Sequence, residues 1–220
     1  MSGRFPERSK EVAYHEPLEP VELMSLEDQM AHFEAEITGI PNPPLKARSY
    51  SLSIVRVRGP LLHGSTLPQL KANDCEFINA DCSNATWADV RLTRCLFESC
   101  KCTGLDTRGG TLRDVRFSAC KMPDAFMQES TLDRVWFESC NLNGLDLSGS
   151  TLDRVTIRDC DARNLRLLGT RIIALDLRGS RIDHLAIDPG SVRHLIIDPV
   201  QAPALTESLG VRVIDIRAEI

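Results

Sequence analysis

Aromatic residues are scarce in this chain, 5% of its 220 residues, so its core must rest on aliphatic side chains and cysteine. No apolar run approaches the roughly 18 residues that a membrane-spanning helix needs. The opening stretch MSGRFPERSKEVAYHEP lacks the apolar segment of a secretory signal. Eight cysteines without such a signal point to a reducing compartment, where thiols outnumber bridges, and the expected location is cytoplasmic. A formal net charge of −5 excludes a strongly basic nucleic-acid binder at the level of the whole chain. Also missing are a glycine-rich phosphate loop and a nucleophile elbow. No enzymatic activity, cofactor or metal is expected.

What the sequence does contain is a period. From residue 75 to residue 199 it divides into 25 consecutive five-residue units without an insertion. Positions ending in 2 or 7 are apolar nearly throughout, and positions ending in 0 or 5 are small or apolar. These two columns carry none of the stretch's 34 charged residues. Random placement would put roughly 14 there, so the register is real. A period of five fits neither the 3.6 of a helix nor the 2 of a strand. It fits a coil that turns a corner every five residues, with both apolar positions pointing inward on each side of a square.

Four sides make a coil of 20 residues, and that longer period is visible when TLRDVRFSACKMPDAFMQES, 111–130, is set against TLDRVWFESCNLNGLDLSGS, 131–150. Stacked coils predict ladders of like residues. One is Phe77, Phe97, Phe117 and Phe137; another is Leu92, Leu112, Leu132 and Leu152; a third is Cys100, Cys120, Cys140 and Cys160. The last position of each unit is Gly, Asn or Asp in 13 of the 25, the residues that tolerate positive φ at a tight corner.

Units such as Ala80-Asp81-Cys82-Ser83-Asn84 and Leu145-Asp146-Leu147-Ser148-Gly149 resemble those of the pentapeptide-repeat family. The resemblance implies an all-β fold, a right-handed quadrilateral β-helix. Some members resemble B-DNA in shape and acidic surface and protect DNA gyrase from poisons. Those that act on topoisomerases tend to pair through a C-terminal element.

Three segments are expected. Residues 1–49 form an N-terminal arm and capping helix, with Leu23, Leu26, Met30, Phe33 and Ile37 on one stripe over 23–37 and Ser25 and Asp28 as its start signal. Residues 50–199 form the β-helix. Residues 200–220 form a C-terminal cap or homodimerisation element, with a short helix over 200–209 and a strand over 211–216.

The cysteine ladder reads as small buried hydrophobes rather than a metal site, because a straight row cannot surround a tetrahedral ion. His184 and His194 are half a coil apart and face opposite sides, and His15, His32 and His63 join no cluster. Exposed aromatics are the stronger signals of a contact surface. Trp136 sits at an outward position above Leu96 and Arg116, close enough for Arg116 to stack on the indole, with Glu138 beside it. Phe126 is also outward. Charge separates two function classes. A gyrase protector that mimics DNA needs a dense negative field, carried by residues such as Asp106 and Asp146. Residues 75–199 carry 18 acids against 16 bases, which suits a scaffold or adaptor for an unrelated protein partner as well. One continuous acidic face would favour the mimic, and interspersed signs the scaffold.

Overall fold

The computed structural model describes residues 18–23 and 30–211. Short strands follow one another around a square and pair in parallel with the strand one coil later, giving a parallel β-solenoid of about nine turns. The offset is 20 residues along the rod: Phe77 pairs with Phe97, Phe97 with Phe117, Phe117 with Phe137 and Phe137 with Ile157. We number the faces by their inward residues. Face 1 runs through Leu92, Leu112 and Leu132, face 2 through Phe97, Phe117 and Phe137, face 3 through Cys102, Met122 and Leu142, and face 4 through Thr107, Met127 and Leu147.

The corners explain the period. Every fifth residue from Asp74 to Gly169 has positive φ, including side chains as large as Arg94, Glu129 and Arg134. Left-handed geometry at a non-glycine residue costs about 1 kcal/mol. The parallel ladder on both sides of each corner overrides that preference by pairing the backbone polar groups that a relaxed corner would leave open. Asp and Asn at the first outward position assist. Asp81, Asn141 and Asp146 each accept the backbone N–H two residues on, at 2.9, 3.1 and 2.9 Å.

Inside, the phenylalanine ladder is a continuous stack. Ring centroids lie 4.3 Å apart for Phe77–Phe97, 4.7 Å for Phe97–Phe117 and 4.9 Å for Phe117–Phe137. Trp87, fully buried, satisfies its indole N–H on the Ser65 hydroxyl at 2.9 Å.

The N-terminal segment corrects the expectation of a helix. Residues Ala31–Phe33 and Ala35–Thr38 are strands, paired with Ser51–Ser53 and Arg56–Arg58, and Glu19–Glu22 pairs with Ala35–Thr38 at an offset of 16. The helical stripe was ambiguous because Met30, Ala35 and Ile37 also occupy the five-residue register continued backward. Stacking a coil on the edge formed by 51–58 pairs an otherwise open row of backbone groups, which a helix would have left exposed. Ile37 is buried, whereas Phe33, outward in the register, is 63% exposed. The coils therefore start upstream of residue 50. Ser25, Leu26 and Asp28 lie outside the described residues.

At the other end the expected short helix is present, Ala202–Ser208, preceded by a 3-10 turn over Pro199–Gln201 and ended by Gly210 at φ +79. It closes the last coil chemically. Along the rod, corner N–H groups donate to carbonyls 19 residues on, as Gly149 does to Leu168. Where no such carbonyl is in place, the Asp188 and Asp198 carboxylates accept from Gly169 and Gly179 at 2.6 and 2.8 Å. Gln201, 6% exposed, donates its amide to the carbonyls of Leu177 and Ser180, both at 2.6 Å. Of the strand expected over 211–216, all but Val211 lies outside the described residues.

Candidate partner-binding surfaces

The stacking sets the candidate surface residues in fixed columns. On face 2, Leu96, Arg116 and Trp136 are register partners one above another, as the sequence indicates, and Thr156 and Asp176 continue the column. Trp136 is half-buried rather than fully exposed. Arg116 turns its guanidinium to the Glu138 carboxylate of the next coil. Asp176 is 1% exposed and clasped by Arg178 at 2.7 Å and Arg158 at 3.1 Å. Burial works against its ionisation, but the hydrogen bonds and charge of Arg178 outweigh that and hold the carboxyl below its usual range.

Asp106 and Asp146 lie on face 4, away from Trp136, in a column with Phe126 between them. Both are nearly buried, at 9% and 8% exposure. Asp106 accepts three bonds from the Arg108 guanidinium, at 2.6 to 3.1 Å, and the Arg108 backbone N–H. Asp146 accepts from the Ser148 N–H and, at 3.0 Å, from the Gln128 amide. These carboxylates support corners and project little into solvent. Phe126 is 41% exposed.

Arginines neutralise the acids across the rod. Arg94 grips Asp74, and Arg134 grips Asp114, through two bonds each. Asp133 is shared by Arg134 and Arg154, and Arg163 holds Asp161. Acids without an arginine ion pair among the described residues, such as Asp89, Glu98, Asp124 and Asp159, are spread over three faces. The signs are interspersed.

The cysteine ladder is buried and unbridged, as expected, but it is not merely apolar. Cys100, Cys120, Cys140 and Cys160 donate to the carbonyls of Phe77, Phe97, Phe117 and Phe137, at 3.1 to 3.5 Å. Cys140 and Cys160 also accept the N–H of the cysteine one coil back, at 3.4 and 3.3 Å. Ser180 ends the ladder by doing the same through its hydroxyl. The sequence carries a signal of this role, the serine that follows four cysteines in one column. The Cys140 thiol is pushed up to about 12, chiefly by its contact with Cys120, with burial adding. A thiol shifted in this way stays protonated near neutrality and is a poor nucleophile. Among the described residues, no group of His, Cys, Asp and Glu is placed to hold a metal ion, and no helix is long and apolar enough to cross a membrane.

A square parallel solenoid with an unbroken five-residue register defines a class of protein, and comparison agrees. The family model described as "Pentapeptide repeat region" matches residues 70–146 and 90–167, so the coils over 70–167 are a pentapeptide-repeat region. Among solved structures, a trypsin-treated variant of QnrB1, a plasmid-mediated fluoroquinolone resistance protein, is similar at 16% identity over 89% of this chain and 100% of that one, with a TM-score of 0.42. HetL, a pentapeptide repeat protein involved in heterocyst differentiation regulation from the cyanobacterium Nostoc sp. strain PCC 7120, is 15% identical over 79% of this chain and 91% of its own, with a TM-score of 0.32. Among curated proteins, none matches.

Proposed function

We propose that this protein is a non-enzymatic scaffold that binds a protein partner through face 2, around Trp136. The observation that carries the reading is the column Leu96, Arg116, Trp136, held in register by the ladder and flanked by the Arg116–Glu138 ion pair. A half-buried tryptophan beside an arginine is the composition of an interface hot spot. A solenoid presents such a group at low entropic cost, because its coils hold the surface fixed before any partner arrives. DNA mimicry in front of gyrase needs an acidic field that competes with phosphates for a basic groove. Carboxylates already paired to arginines supply little of it.

The test is site-specific crosslinking in the native host from a photoreactive residue at Ser118, which neighbours Glu138 on face 2. The expected result is a discrete protein adduct that Trp136→Thr abolishes. Threonine already stands one coil on, at Thr156, so the variant folds. An adduct unchanged by Trp136→Thr, or no adduct from face 2, contradicts the reading.

A further inference from the structure

The net acidity of the chain conceals one basic side. Over residues 51–174, the face 1 units carry seven lysines and arginines against four aspartates. The other three faces, over 46–188, are balanced: five bases against five acids, four against four, and four against five. The four aspartates of face 1, Asp74, Asp114, Asp133 and Asp153, are all engaged by arginines of the same face. Its remaining positive charge is therefore not cancelled locally.

That charge is ordered. One outward column pairs Ser51 with Lys71, Lys71 with Arg91, Arg91 with Thr111, Thr111 with Thr131, Thr131 with Thr151 and Thr151 with Arg171. Lys71, Arg91 and Arg171 are exposed, and none has an ion pair among the described residues. Three threonine hydroxyls lie between the cations, so the strip is flat and polar, with hydrogen-bonding groups at each step. At a strand spacing of about 4.8 Å, Lys71 and Arg171 are about 24 Å apart.

We propose that face 1 is a docking strip for an acidic, extended polypeptide segment, a contact additional to the one at Trp136. Charge complementarity selects the sign of the occupant. The amount of charge selects its class. Nucleic-acid binders commonly neutralise about 6–10 phosphates, and three uncancelled cations fall short of that. Single strands are also held by bases stacked on aromatic rings; no outward position beside these cations, over 51–174, is aromatic, and the exposed Phe33 of the same face lies two coils before Lys71. A peptide of about seven extended residues spans the strip. Its carboxylates meet the cations at both ends, and its backbone or serine groups meet the threonines. Face 3 is the internal control: Lys101 and Lys121 are exposed there too, but their column runs Asp81, Lys101, Lys121, Asn141, Asp161, Arg181, so an aspartate stands on either side of the two lysines.

The test is fluorescence anisotropy with the full chain and a labelled peptide of about twelve alternating Glu and Ser residues, long enough to span the strip. Binding is expected at about 20 mM salt and weakens strongly toward about 200 mM. The combined variant Lys71→Ser, Arg91→Thr, Arg171→Thr, built from residues already present in the column, is expected to weaken binding about tenfold. Lys101→Ser with Lys121→Ser leaves it unchanged, as does Trp136→Thr, so this strip stands or falls apart from the face 2 contact. If the triple variant melts early, Arg171→Thr alone, beside Thr151, is read in its place. No binding at low salt, or equal loss from the face 3 variant, overturns the proposal. Tighter binding of oligothymidylate of the same length overturns it in favour of nucleic acid.

Discussion

Phe117→Ala is expected to destabilise the rod by about 3–5 kcal/mol, the cost of a large cavity at a fully buried aromatic. Phe117 is 1% exposed and stacked on both sides, by Phe97 and Phe137. Its removal deletes two ring contacts and leaves a gap that the neighbouring coils cannot close. Those coils are fixed at the strand spacing by the ladders of faces 1 to 4, so relaxation is limited. Urea denaturation followed by circular dichroism measures the loss. A change below about 1 kcal/mol would mean that the ring is not in the stack.

Gln201→Ala is expected to cost about 1–3 kcal/mol, because the buried Ser180 carbonyl loses its donor and the Leu177 carbonyl keeps only the Ser180 N–H. Unlike a core cavity, this lesion sits at an end. In a solenoid each coil touches only its neighbours, so the loss should appear first as local opening. Hydrogen exchange is expected to accelerate over residues 171–187 while the coils around Phe117 stay protected. Uniform loss of protection along the rod would show instead that the end cap and the middle unfold as one unit.

The fold was legible because one rule, two inward positions in five, is imposed by geometry on every coil. Phe77 to Phe137 and Leu92 to Leu152 could be placed inside from their spacing alone. The rule misled where its own register was interrupted. Around Pro41 to Pro44 the pattern breaks, and the stripe through Met30, Phe33 and Ile37 then fits a helix as well as a coil; an open sheet edge downstream decided between them, which is a tertiary effect. Charge was legible as composition but not as pairing. Asp106 and Asp146 read as surface acids, whereas short-range bonds to Arg108 and Ser148 turn them into corner supports. Trp136, Arg116, Leu96 and Glu138 share one face, as the 20-residue period dictates for these outward positions. The capping of the last coil by Gln201 and Asp198 rests on hydrogen bonds more than 18 residues apart in the chain, beyond the reach of any local pattern.

On the proposed function, the surface of this rod works as a mixed-charge protein contact and not as an imitation of DNA. DNA gyrase supercoiling, assayed with a fluoroquinolone present and the purified protein titrated in, tests it most directly. Neither rescue from the drug nor, without drug, inhibition of the enzyme is expected. Rescue at micromolar protein or below would contradict it and place the chain among gyrase protectors.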